Sequence, residues 1–265
     1  MGKKMTNAPV YYVLAQVRFN AVLALDQYVS PIQDSLRKAG YPDFEKSFMA
    51  QINLNLGAGQ GQAVPAMQPQ ARYQFLNEHR TAGFILDQSG IIFQTTDYDT
   101  FDPFLVECVK GLTIVHTAAE LDYSERTGIR FLDAVCPGPE ENISQYLAPS
   151  LLGLVDKLAP RELVHSASET RTQFEKTTLI SRATIFRQER EGAAFPAEFG
   201  LVSIRLAEKF RRVKGLYAVI DTDCWLEDRA KFDVGGLEKG LRSLHDEIRR
   251  SFDLMVTPHA LRVWG

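Results

Sequence analysis

Between Val234 and Met255 the large apolar residues fall three or four positions apart. Leu237, Leu241, Leu244, Ile248, Phe252 and Met255 form one stripe, with charged residues filling the opposite side. The spacing predicts a long amphipathic helix. At ~1.5–3 kcal/mol per buried side chain, that stripe supplies a large share of the hydrophobic drive if a sheet covers it. A second helix is predicted over Asp26–Lys38, where Leu25, Tyr28 or Val29, Ile32 and Leu36 recur and Gly40 and Pro42 stop the pattern. A third runs from Phe101 to about His116, with Pro103 in its first turn and Asp99 or Thr100 before it as a cap. Ile143–Leu158 reads as partly helical and broken at Pro149.

The remaining apolar runs alternate or are short, as strands require. They are Tyr11–Phe19, Phe44–Leu56, Tyr73–Glu78, Thr81–Asp87, Ile91–Thr96, Gly128–Val135, Glu162–Phe174, Thr177–Arg187, Phe199–Phe210 and Leu216–Ile220. Three of these lie close together between Tyr73 and Thr96, which argues an antiparallel meander. Gly57–Gln70 and Glu189–Pro196 read as loops, and Asp221-Thr222-Asp223-Cys224-Trp225 as an acidic turn leading to the last helix. Strands come in runs and do not alternate strictly with helices. The fold class is therefore α+β: two lobes of largely antiparallel curved sheet backed by helices, with the long amphipathic helix near the C-terminus. The lobes are expected at residues 1–140 and 141–265, dividing near Pro137–Ser150, unless they merge into a single compact domain.

Composition changes this picture little. The 265 residues are 45% hydrophobic and carry a net charge of -3, which suits a soluble globular chain with an ample core. The charge is uneven, since residues 1–159 hold 12 basic against 17 acidic side chains and residues 160–265 hold 18 against 16. No run approaches ~18 continuous apolar residues, so no membrane-spanning segment is expected. Cys108, Cys136 and Cys224 are few and far apart, which fits a reducing cytoplasm and no metal-ligand spacing.

Three groups of residues could carry chemistry. Asp221 and Asp223 flank one residue just after an apolar run, a pattern that can hold Mg²⁺ in phosphoryl-transfer enzymes. The run resembles the first motif of haloacid-dehalogenase-type phosphatases, but Trp225 stands where that motif has Thr, and too little chain follows for that fold. Arg182, Arg187, Lys209, Arg211, Arg212 and Lys214, interleaved with Phe186 and Phe210, could instead follow a nucleic-acid backbone. Charged edge strands that resist aggregation give the same pattern. Gly57-Ala58-Gly59-Gln60-Gly61 lacks the Gly-Lys-Ser/Thr ending of a phosphate loop. His245 has no second histidine at helical spacing and reads as structural.

Four phrases together carry a resemblance: Asn7-Ala8-Pro9-Val10; Phe93 to Tyr98; Arg126 to Asp133; and Leu241 to Ile248 followed by Phe252 and Thr257. In order and spacing they are similar to a sporadically distributed family of uncharacterised bacterial proteins of about this length. The third phrase often reads Arg-x-Gly-Leu-Arg-Tyr-Ile-Asn there, so Phe131 and Asp133 stand where that family has Tyr and Asn. The resemblance implies a bacterial, cytoplasmic protein of patchy distribution, as accessory genes of phage defence or toxin neutralisation have. It brings no catalytic residues. The resulting expectation is a non-catalytic binding protein whose partner is another protein, with no cofactor. Nucleic-acid binding and a metal-dependent phosphohydrolase using Asp221 and Asp223 are the alternatives. A lipid-like ligand enclosed by the sheet is a more distant one.

Overall fold

Alternation along the first strand, β1 (Val10–Phe19), decides how the chain is layered. Val13, Ala15, Val17 and Phe19 are buried under helices, whereas Tyr12 and Leu14 pack on the opposite face. The chain, as seen in a computed structural model that describes residues 5–53, 66–155, 157, 163–193 and 204–265, builds everything else around this strand. It continues through α1 (Leu25–Lys38), a meander of β2 (Asp43–Asn53), β3 (Ala66–Leu76), β4 (Ala82–Asp87) and β5 (Gly90–Thr95), and then α2 (Phe101–Ala119). Next come β6 (Tyr123–Val135), two 3-10 turns at Ile143–Gln145 and Pro149–Leu151, β7 (His165–Phe174), β8 (Thr177–Gly192), the short α3 (Glu208–Arg211), β9 (Val213–Lys231), α4 (Val234–Met255) and α5 (Pro258–Trp264).

The nine strands among the described residues form one antiparallel sheet in the order β2-β3-β4-β5-β1-β6-β9-β8-β7. That order contains a repeat. In the first half the last meander strand, β5, returns beside the opening strand β1 and is followed by α2. In the second half β9 returns beside β6 and is followed by α4. The two opening strands pair antiparallel in the middle, from Val10 opposite Asp133 to Phe19 opposite Ser124. The halves therefore meet as a pseudo-twofold pair. α1 sits where the second half has its 3-10 turns. Where the sequence predicts lobes 1–140 and 141–265, or a single compact domain, β6 opens the second half, so the repeat divides between α2 and β6, inside a continuous sheet.

α1, α2 and α4 cover one face. Ile32 and Leu36 of α1, Phe104, Cys108, Leu112 and Val115 of α2, and Leu237, Leu241, Leu244 and Ile248 of α4 pack on Val13, Phe84, Phe93, Ile129 and Cys224. Asp233 caps α4 by accepting from the backbone N–H groups of Gly235 and Gly236, at 3.3 and 2.9 Å. Thr257 caps α5 through Ala260, and Pro258 opens that helix. Beyond α4 a second cluster joins Tyr146, Leu147, Ile185, Ile220, Met255 and Trp264. On the face away from the helices, Ile204, Phe210 and Val213 cover Tyr11, Tyr12, Leu132, Tyr217 and Val219.

Three strand expectations change. Asp221-Thr222-Asp223 is not a turn but the middle of β9, because arginines of the neighbouring strands meet its carboxylates. Of Phe199–Phe210, expected as a strand, residues 199–203 lie outside the described residues and 204–210 form an irregular segment and most of α3, which seats the Phe210 ring 5.4 Å from that of Tyr11. The first residues of the second expected loop, Glu189–Gly192, belong to β8, which runs on to Gly192 opposite Val213, and residues 194–196 lie outside the described residues. Most of Gly57–Gln70 lies outside the described residues, and its last five residues belong to β3.

Candidate ligand cleft

The buried stripe of α4 has a neighbour on the same helix. Arg242, His245, Arg249 and Phe252 are three or four residues apart and overlook the end of the sheet at β6. The corner between β5 and α2 brings up Tyr98, Asp99, Thr100, Phe101 and Asp102. The approach to β1 adds Met5, Ala8, Pro9 and Val10, and β6 provides Phe131 and Asp133. Together they enclose a cleft of about 610 Å³, within the usual range for ligand sites.

Its walls are largely aromatic and already in contact. The His245 ring lies flat on Phe101, with centroids 3.8 Å apart and planes 7° apart. The Tyr98 ring meets that of Phe131 edge-on at 5.3 Å. Burial lowers the His245 pKa below the usual imidazole range, so at neutral pH the ring is an uncharged wall. Burial likewise raises the Tyr98 hydroxyl far above its ordinary range.

The charged groups divide into tethered and untethered ones. Arg242 donates to Asp102 at 2.6 Å and to Glu238 at 3.1 Å, fastening α4 to the first turn of α2. Asp102 also sits where the α2 dipole favours an acid. Arg249 is exposed and has no ion-pair partner among the described residues. Asp133 differs from all of these. It is only 5% exposed, it lines the cleft, and its carboxyl has no hydrogen bond among the described residues. Burial, and then the charge of Asp221 across the sheet, pushes its pKa up to about 7. A carboxyl in that setting is poised to bind a proton or a cation, since either relieves the cost of an unpaired buried charge.

The predicted metal pair lies on the other face. Arg130 donates Nε and Nη2 to the two oxygens of Asp221, at 2.7 and 2.6 Å, and Arg182 adds Nη1 at 3.0 Å. Arg182 also holds Glu169 at 2.7 Å. Asp223 lies beyond them, its pKa raised by burial. Two guanidinium groups thus fill the position a cation would take at Asp221, which corrects the alternative of Asp221 and Asp223 as metal ligands. Beside this network Arg126 donates to Gln16 at 2.9 Å and stacks over Trp225 at 4.8 Å. Among the described residues no three His, Cys, Asp or Glu side chains gather as a metal site.

The predicted nucleic-acid stripe separates. Arg182 and Arg187 are five residues apart in β8, so strand alternation sends them to opposite faces. Arg182 is paired as above, while Arg187 Nε is buried without a partner among the described residues. Lys209 donates to Asn7 Oδ1 and the Ala8 carbonyl, at 3.1 and 3.2 Å, and lies over Phe210. Arg211 and Arg212 both reach Glu208, at 3.2 and 2.9 Å. Lys214 is exposed at the start of β9, where alternation places it with Leu216 on the helix side. These six do not make one basic surface.

Asp133 is hidden in an apolar run that reads as a core strand, and the spacing around His245 suggests only a structural side chain. The signal that could have found them is the polar stripe of α4 beside its apolar one. No helix among the described residues is long and apolar enough to cross a membrane. No family model matches the chain, and no curated protein is significantly similar to it.

Proposed function

We propose that the protein is a non-catalytic binding protein that engages a partner protein through the cleft between α2, α4 and β6. The observation that carries this reading is Asp133, a buried carboxyl without a partner among the described residues, at the floor of a cleft large enough for a side chain or chain end. The surrounding charges support holding over turnover: Arg242 is committed to Asp102 and Glu238, and the His245 ring is stacked and uncharged at neutral pH. A bacterial, cytoplasmic setting in phage defence or toxin neutralisation belongs to the same proposal and draws on the four-phrase resemblance.

Filling the cleft tests it. Ala8 lines the cleft and is half-buried, so Ala8→Trp adds bulk there without touching Asp133. Wild type and variant, each immobilised, are exposed to extract of the native host, and retained proteins are quantified by mass spectrometry. The expected result is a partner enriched at least about tenfold on wild type over a variant that melts normally, the size of effect that lost central contacts produce. Equal retention by both would place the partner elsewhere and sink the proposal.

A further inference from the structure

Resting on that cleft reading, we propose that the group the cleft receives is a primary ammonium carried on an apolar stem, held by the Asp133 carboxylate and flanked by the rings of Tyr98, Phe101 and Phe131.

Each part of the ligand answers one feature of the cleft. Asp133 is 95% buried by its 5% exposure, lines the cleft and accepts no hydrogen bond from the described residues. Its two oxygens can accept several donors. A neutral alcohol or amide fills that capacity without offsetting the charge. An ammonium does both, with three donors and a full positive charge. Tyr98, Phe101 and Phe131 line the same cleft as Asp133, and a cation is attracted to aromatic rings. A quaternary ammonium would suit the rings but has no N–H for Asp133, so the primary form fits better. The apolar stem lies against Ile248 and Phe252.

Asp99 and Asp102 line the same cleft from the α2 corner and Asp246 from α4. Arg242 is spent on Asp102 and Glu238, and His245 is neutral. Asp221 adds negative potential through the sheet. Arg249, exposed at the rim, is the one untethered cation among the described cleft residues. It lies where the stem leaves, and there it can pair with a carboxylate or carbonyl of the partner. Around neutral pH Asp133 is partly protonated, so capture of the ammonium expels a proton, and affinity rises with pH through that range.

The experiment uses the whole protein and defined amines. Phenethylammonium, 2-phenylethanol and 3-phenylpropionate are titrated calorimetrically at pH 5.5 and 8, with the Ile248 methyl signals followed by NMR. Two further arms separate the natural sources: phenylalanine amide for a free chain N-terminus, and Nα-acetyl-lysine amide, with its side-chain ammonium free, for a lysine side chain. Phenethylammonium is expected to shift Ile248, to bind at pH 8 at least about tenfold tighter than the alcohol, to weaken severalfold at pH 5.5, and to release a proton at pH 7. Asp133→Asn should remove the preference for ammonium over alcohol. The amide that binds tighter identifies the source. Equal binding of alcohol and ammonium, a preference for the carboxylate, or no movement of Ile248 would each overturn the ammonium inference. The Ala8→Trp capture experiment decides the cleft reading separately.

Discussion

Asp133 shows how one residue can set the pH behaviour of a fold. Its carboxyl ionises near 3.8 in ordinary surroundings and at about 7 in the folded chain. Below the lower value both states hold the proton, and burial costs nothing extra. As pH rises from there to about 7, the unfolded chain loses its proton first and the folded state falls behind. The loss is complete above the folded value and is then constant. Each tenfold difference in proton affinity is worth about 1.4 kcal/mol, so the loss is on the order of a few kcal/mol. Asp133→Asn removes the charge and nearly keeps the shape. It should melt higher than wild type at pH 8, by several degrees, with the gap closing toward pH 4.5. Scanning calorimetry across that range checks this, and a variant less stable than wild type at pH 8 would show that the carboxylate has a partner in the fold.

Elements differ in how plainly their sequences announce them. The bounds of α4 are readable from its stripe, because a helix on a sheet needs only local periodicity. α1 and α2 are legible for the same reason. The acidic centre of β9 is not. Asp221 and Asp223 look like turn residues until Arg130, 91 positions away, and Arg182, 39 positions away, are placed beside them. Strand pairing is non-local, so the partner that makes a carboxylate tolerable in a strand cannot be seen from its neighbours in sequence. Packing adds a similar hidden constraint to α2. Gly111 is an odd residue for a helix, where alanine normally gains about 1 kcal/mol. Yet a Cβ at this position would lie 2.1 Å from the Phe84 ring, itself wedged against Tyr41 and Phe93 at 4.8 Å each. Gly111→Ala should therefore destabilise the protein by about 1–3 kcal/mol, the usual cost of overpacking, read as a lower denaturant midpoint. A higher midpoint would mean that α2 rides free of the sheet.

At the scale of the whole molecule, the pseudo-twofold arrangement has no sequence signature. The two halves share strand order and the place of their closing helices, which does not require shared residues. The antiparallel meander around β3, β4 and β5 is legible from its short turns. The single sheet is not, because it depends on β1 and β6 pairing across more than a hundred residues. The cleft depends on the same long-range assembly. It gathers the approach to β1, the corner before α2, the end of β6 and the flank of α4, and no one of these segments resembles a site by itself. That explains why the sequence alone points to the basic residues near Lys209 and the acidic pair at Asp221. Both are conspicuous locally, and both are occupied by intramolecular pairs once the chain is folded.

Asp133 is buried, has no hydrogen-bond partner among the described residues, and is proposed to hold a cation. That role is tested most directly by following the side-chain carboxyl ¹³C signal through a pH titration, assigned by comparison with Asp133→Asn, without and with saturating phenethylammonium. The expected result is an apparent pKa of about 7 for the free protein and a clear fall when the ammonium is bound. Titration of the free protein near 3.8, unchanged by the amine, would contradict it.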